Sequence, residues 1–398
     1  MGSTPPPPEI LDGDVTRLDV DGTFSVSWTH RLRFSRNVLA PGNQLLASLL
    51  PEEPRPIRVL PVLDSGLVDA RPGLPEDVTD WLDRNADKVI PAAPPLILPG
   101  GEDAKNGWDA YEMTARAIAE GHVCRRSLVL IFGGGAVLDA ASFASATAHR
   151  GVRAIRLPST TLSQGDSGVG VKNAINAFGS KNFLGTFAPP HAVVNDTSLL
   201  DSLDDRHWRS GLSEAVKVAL LKDPDLLDKI EQDTVPLMER DLDSMERILI
   251  ESARLHMNHI VHGGDPFETK HARPLDLGHW SAHRMESLSN WTLPHGDAVA
   301  LGLAIDLVYA MKIGMLHGGI TERVIQCLQS LGFLGETSVL DDSEALLVGL
   351  EEFREHLGGR LAIPLISDIG VAGEVDEIDQ KTMKESIDAV RKAANQSD

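Results

Sequence analysis

Residues 127–150, SLVLIFGGGAVLDAASFASATAHR, restrict the fold more than any other stretch of the chain. An apolar run of strand length, three glycines and a run of small residues read in order as strand, turn and helix. IRVLPVLDSGLVDA (57–70) reads as a buried strand ending in a turn, and VRAIRLPST (152–160) and HAVVND (191–196) as further short apolar strands. Strands that alternate with helical stretches need crossovers, so residues 17–196 are predicted to form a doubly wound, Rossmann-like α/β domain with a parallel sheet. Beyond residue 197 the texture changes. SGLSEAVKVALLKDPDLLDKI, MERILIESARLHMNHIVH and GDAVALGLAIDLVYAMKIGML carry helical periodicity, and β-branched runs become scarce. Residues 197–398 are therefore predicted to be a mostly helical second domain, and 1–16, with prolines at 5 to 8, a disordered lead. Two domains suit 398 residues.

Charge narrows the function classes. With 58 acidic against 37 basic residues and a net charge of -21, the chain is a poor partner for nucleic acid, whose phosphates are met by basic faces. No run approaches the roughly 18 apolar residues that span a bilayer, and MGSTPPPPEILDGD has neither the basic nor the apolar part of a secretory signal. A cytoplasmic protein is the expectation. Cys124 and Cys327 match no metal spacing and are read as buried or free thiols.

Against this acidic background the glycine turn stands out. Gly133, Gly134 and Gly135 follow a strand and open a helix, where backbone N–H groups and the helix dipole can meet a pyrophosphate. The same sequence serves equally as a tight turn with no ligand. Asp139, one turn further in, can reach a cofactor or be an ordinary first-turn acid. LPGGEDAKN (98–106) adds a second glycine turn beside Glu102 and Lys105, and is also a plausible solvated loop.

In LDLGHWSAHRME, His279 and His283 lie four apart on one face if the segment is helical. His295 begins the next helical stretch. Glu214 sits in an otherwise apolar helix, where a metal or Lys217 must compensate its charge. Two histidines and a carboxylate with an open position suit a catalytic divalent cation, zinc first. His256, His259, His262 and His271 compete as ligands or are surface residues.

Taken in order, GGGAVLD, ATAHRGV, LPSTTLSQGDSGVGVKNAIN, KNFLGTF, SEAVK, LGHWSAH and HGDAVALG resemble the sugar phosphate cyclases, the 3-dehydroquinate synthase family, over roughly residues 55–370. The resemblance implies a nucleotide-binding domain followed by a helical metal-binding domain, with NAD, zinc or cobalt, and a homodimer. It makes Glu214, His279 and His295 the metal ligands and leaves His283 for the substrate. It places Arg150, Lys172 and Asn182 at phosphate, Arg150 reaching in from the partner subunit. Residues 165–190 resemble a loop and helix start that cradle a sugar phosphate, with Asp166, Lys172, Asn176 and Lys181 lining cofactor and substrate. Asp64, Glu102, Lys105, Gly133, Gly134, Gly135, Asp139, Ser159 and Thr160 fall to the cofactor. Lys172, Lys217, His283, Asp166 and Asp276 are the implied catalytic set.

In this family an alcohol is oxidised by NAD, phosphate leaves by β-elimination, the hydride returns, and an aldol step closes a carbocycle. The departures concern the substrate. Dehydroquinate synthases hold a carboxylate with a lysine and an arginine that fall here at Asn258 and Ala272. Arg273, one residue displaced, is the cation that can restore that site. Asp276 replaces an asparagine and suits a neutral, hydroxyl-rich end. EFREHLGGRL (352–361) looks like the branch acting on sedoheptulose 7-phosphate, the valiolone-type synthases, with Arg354 or His356 at the phosphate. The 166–190 segment also looks like the dehydroquinate-synthase-like protein of bacterial Ebo clusters. The expected reaction is cyclisation of a C7 ketose phosphate; 3-dehydroquinate synthase and a metal-dependent NAD alcohol dehydrogenase are the alternatives.

Overall fold

The computed structural model describes residues 21–268 and 274–394. The expected lead over 1–16, together with His271, Ala272 and Arg273, lies outside the described residues, as does the side chain of His356. The strands are β1 (Leu32–Ser35), β2 (Ile57–Asp64), β3 (Val89–Pro91), β4 (Leu96–Leu98), β5 (Leu128–Gly133), β6 (Arg153–Pro158), β7 (Lys172–Ala177), β8 (Ser180–Phe187) and β9 (Ala192–Asp196). Seven of them make one parallel sheet in the order β1-β9-β6-β5-β2-β3, with β4 also on β2. Every residue of β5 and of β9 is buried, as befits parallel strands covered by helices on both faces.

The order explains where a ligand fits. From β2 the chain steps outward to β3 and β4, then returns to β5 on the other side of β2 and continues to β6 and β9. This reversal is a topological switch point, and in open α/β sheets ligands bind there, beyond the carboxyl ends of the two central strands. Asp64 ends β2 and Gly133 ends β5. The helix Gly135–Thr147 follows directly, its alanines and serines allowing close packing on the sheet. The stretch after Asp64 is a short helix, Ser65–Ala70, capped by the Asp64 side chain, rather than a turn.

Residues 165–190 depart from the expected loop and helix start. Ser163–Ser167 is a single π-helical turn, and β7 and β8 form an antiparallel hairpin outside the main sheet. The reason is packing: KNAINA is buried from Asn173 to Ala177 where β7 packs on the helix Gly135–Thr147, and β8, with no buried residue, covers its edge on the outside.

From Asp205 onward helices dominate, joined by a hairpin of β10 (Ile363–Asp368) and β11 (Val371–Val375). The helix His295–Lys312 runs through the middle of this unit, buried continuously from Gly296 to Ala310. Asp205–Lys222, His279–Leu288 and Gln380–Ala394 pack against it. Among the described residues no helix is long and apolar enough to cross a membrane. Cys124 is exposed and Cys327 buried, both as free thiols.

Candidate active site

Three helices must meet closely to bring the expected metal donors together, and glycine makes both approaches possible. A Cβ on Gly211 would lie 2.4 Å from the Thr161 backbone, so the helix carrying Glu214 presses directly on the nucleotide-binding layer. A Cβ on Gly302 would lie 2.1 Å from the Gly278 carbonyl oxygen, so the helix opened by His279 starts hard against the helix opened by His295. Gly278 itself has φ +78, a left-handed conformation that glycine adopts without penalty.

The result is convergence on one carboxylate. His279 Nε2 and His295 Nε2 lie 3.4 and 3.2 Å from Glu214 Oε1. Ligand atoms of the three residues all lie within 4.8 Å of one another. Glu214 is fully buried, and Lys217 Nζ, 2.5 Å from its other oxygen, supplies the compensating charge. Burial pushes the Glu214 carboxyl up, but Lys217 and His279 outweigh it and hold it well below the usual range.

Lys217 also faces Asp166 at 3.9 Å, and His256 Nδ1 lies 2.7 Å from the same Asp166 oxygen. Burial raises the Asp166 carboxyl, yet Lys217 and His256 bring it to about 2. Lys217 is lowered by burial and raised more by Asp166 and Glu214, so it stays charged. His283 meets solvent at the cleft. The protein packed around its ring removes water, and with Lys181 and His279 holds its pKa well below the usual histidine value.

A second network joins residues expected at the cofactor and phosphate. Lys105 is buried rather than part of a solvated loop, and donates to Asp139 at 2.6 Å and to Asn182 Oδ1. Asn176 donates to Glu102 at 2.8 Å and accepts from the Asn182 backbone at 2.8 Å. Asp64 accepts from Gly66 N and from Gly134 N, tying the ends of β2 and β5 together at the switch point. A Cβ on Gly135 would lie 2.8 Å from Ser167 Oγ, so the turn and the 163–167 segment are in direct contact. Thr160 bonds Ser163, and the Ser159 backbone donates to Gly133 O at 2.9 Å.

The remaining expected residues lie as follows. Lys172 pairs with Glu268, and Arg354 pairs with Glu351 at 3.0 Å on its own helix. Asp276 ends a short 3₁₀ turn and acts electrostatically on Lys217. Arg150 is exposed with φ 61, directly after His149 at φ 52. Two residues now join the site. His256, read as a rival ligand or surface group, instead faces Asp166. Glu286, seven residues after His279, accepts from Lys181 at 2.7 Å and contacts His295 Nδ1 at 3.1 Å. The i, i+4, i+7 spacing of His279, His283 and Glu286 is a sequence signal for one shared helix face.

Comparison with known proteins agrees with this geometry. The family model described as 3-dehydroquinate synthase N-terminal matches residues 95–210, and the one described as 3-dehydroquinate synthase C-terminal matches 211–348. The chain is 29% identical over 381 residues to a 2-epi-valiolone synthase of Actinosynnema mirum, covering 90% of this chain and 98% of that protein. It is 36% identical over 283 residues to a 3-dehydroquinate synthase of Nitrosospira multiformis, covering 70% and 75%. In fold it is similar to the 2-epi-5-epi-valiolone synthase of Streptomyces hygroscopicus subsp. jinggangensis 5008, solved with NAD+ and Zn2+ bound. That match has a TM-score of 0.83 and 25% identity over 94% of this chain and 100% of that one. The glycine turn at the switch point, the donors converging on Glu214 and the two matched halves lead to one conclusion: the chain belongs to the 3-dehydroquinate synthase family, a member of the sugar phosphate cyclase superfamily.

Proposed function

We propose that this chain is an NAD- and divalent-metal-dependent sugar phosphate cyclase that converts a C7 ketose phosphate of the sedoheptulose 7-phosphate type to a valiolone-type cyclitol, eliminating phosphate. Zinc is the expected metal and cobalt a substitute. The observation that carries the substrate choice is Asn258, a neutral side chain where the family resemblance puts a carboxylate-binding lysine. A substrate carboxylate brought into the site without a cation is costly, whereas a ketose presents only hydroxyls there. The end-to-end match to a 2-epi-valiolone synthase supports the same choice.

The donor set fits a metal. A buried glutamate oxygen faced by two imidazole nitrogens leaves room for one cation and an open position. Glu214, His279 and His295 would hold it, where a metal would supply Lewis acidity to a substrate oxygen and NAD would supply the redox chemistry. The Gly133–Gly135 turn sets the dinucleotide at the N-terminus of the helix Gly135–Thr147, at the switch point, while the Gly134 N–H is held by Asp64. Lys217 remains protonated at Nζ and donates a hydrogen bond to a substrate oxygen. His283, whose pKa is depressed by burial and by Lys181 and His279, is neutral and offers a ring nitrogen to a substrate hydroxyl. Lys172 on β7 and Asn182 on β8, the latter accepting from Lys105, supply the phosphate end. Within this reading the active form is a homodimer, and Arg150, exposed on its strained turn, reaches the partner's phosphate site.

The test is to incubate the protein with NAD and zinc and offer sedoheptulose 7-phosphate or the C7 keto acid phosphate used by dehydroquinate synthases, following phosphate and product mass. The expected result is phosphate release and a C7 cyclitol from the first alone. Turnover of the keto acid alone supports 3-dehydroquinate synthase, the reading favoured by the 36% identical relative, and overturns the proposal.

A further inference from the structure

Among the groups around the metal donors, Glu286 touches both halves of the site through one carboxylate. It lies on the helix His279–Leu288 and is 5% exposed. Its Oε2 faces His295 Nδ1 at 3.1 Å, and its Oε1 accepts from Lys181 Nζ at 2.7 Å. Lys181 comes from β8, in the nucleotide-binding half. Its ammonium also lies 5.3 Å from the centre of the Trp291 ring. Trp291 is in turn fixed by its backbone N–H, which donates to the Glu286 carbonyl at 2.8 Å. One residue of the helical half therefore seats the lysine twice, through its own carboxylate and through the ring that it anchors.

The histidine contact has a chemical meaning. An imidazole that gives Nε2 to a metal carries its proton on Nδ1, and an acceptor at Nδ1 fixes both tautomer and ring orientation. Both ligand histidines have such an acceptor: Leu277 O for His279, at 3.1 Å, and Glu286 for His295. The two Nε2 atoms are left facing Glu214 Oε1. Glu286 also belongs to an overlapping donor group with His283 and His295, so it is near enough to compete as a ligand. Lys181, bonded to its other oxygen, holds it back from that role.

We propose that Glu286 is a positioning residue that orients His295 toward the metal and, through the same carboxylate, seats Lys181, so that metal loading and the lysine of the hairpin depend on one buried anion. The proposal rests on the reading of Glu214, His279 and His295 as ligands. Loss of Glu286 leaves the His295 ring free to turn and Lys181 without its ion pair, and the two effects appear together.

The experiment compares wild type, Glu286→Gln and Glu286→Asp, each stripped of metal, by titration with Co2+ alone and by mass-spectrometric labelling of lysine amines. The expected result is a Co2+ affinity weakened about 10- to 100-fold in Glu286→Gln, partial recovery in Glu286→Asp, and several-fold faster labelling of Lys181 in Glu286→Gln. A residue that merely packs would lower the melting temperature without moving the cobalt affinity of the folded protein. Glu286→Gln binding Co2+ as wild type does, or leaving Lys181 labelling unchanged, overturns the proposal. Failure of wild type itself to bind Co2+ overturns instead the assignment of the ligands.

Discussion

Asp306 lies buried in the central helix and accepts from Gly278 N and Trp280 Nε1, both at 2.8 Å. Burial pushes its pKa up to about 7 against the opposing pull of those two donors. Because the folded value lies above the unfolded one, its protonated form favours folding most below about pH 4, and that contribution is lost as pH rises through 7. Asp306→Asn removes the titration. The unfolding free energy of wild type should therefore fall relative to the variant by on the order of 1.4 kcal/mol per pH unit between pH 4 and 7, measured by urea unfolding across that range. A constant difference would show that the carboxyl does not titrate there. At this scale the convergence of the candidate donors is legible because Glu214 is an acid in an apolar helix and His279 and His295 each stand in a recognisable motif. Glu286 carries its signal in its spacing of seven from His279, but an acid in a polar stretch reads as a surface group. His256 reads in sequence only as a rival ligand or surface group, because its partner Asp166 lies far away along the chain. Its place three after the buried Ala253 and seven after the buried Leu249 marks it as inward-facing.

The helices that carry the donors are positioned by backbone contact, and this level of control is visible only in three dimensions. Gly278 opens the His279 helix at φ +78, and a Cβ there would meet Leu303 N at 2.8 Å. Gly278→Ala must therefore strain a left-handed residue, at about 1–2 kcal/mol, and push the His279 helix away from the His295 helix. The expected outcome is a folded protein with zinc affinity at least tenfold weaker, read by competition with a chromogenic chelator; unchanged affinity would mean that the helix start does not set the metal geometry. The strand–glycine–helix unit over 128–147 was legible because an apolar run, a turn and a small-residue run each have a distinct pattern. The hairpin of β7 and β8 was not. Its glycines, asparagines and lysines suit a loop as well as a strand, and only packing of Ala174, Ile175 and Ala177 against the sheet-covering helix selects pairing. The short strands β1, β3 and β4 carry only three or four residues each, too few for a period to register.

Over the whole molecule, the site lies where a parallel sheet's switch point meets a helical unit, and its groups come from both. Gly133–Gly135, Lys105 and Lys181 belong to the first, Glu214, His279, Glu286 and His295 to the second, with Lys217 and Asp166 paired across the boundary at 3.9 Å. This division suits a reaction in which one dinucleotide is used twice, first to oxidise and then to restore the same substrate. Lys172 and Lys181 on the hairpin, with Arg150, are the cations the proposed reading gives to a phosphate, and a simple alcohol would leave them idle. A redox-neutral cyclisation and a dehydrogenation therefore leave different traces from the same site. The most direct measurement follows phosphate and reduced nicotinamide together while the zinc- and NAD-loaded protein turns over sedoheptulose 7-phosphate. The account predicts phosphate accumulating over many turnovers with no net reduced nicotinamide; nicotinamide reduction without phosphate release would contradict it and make the protein a dehydrogenase.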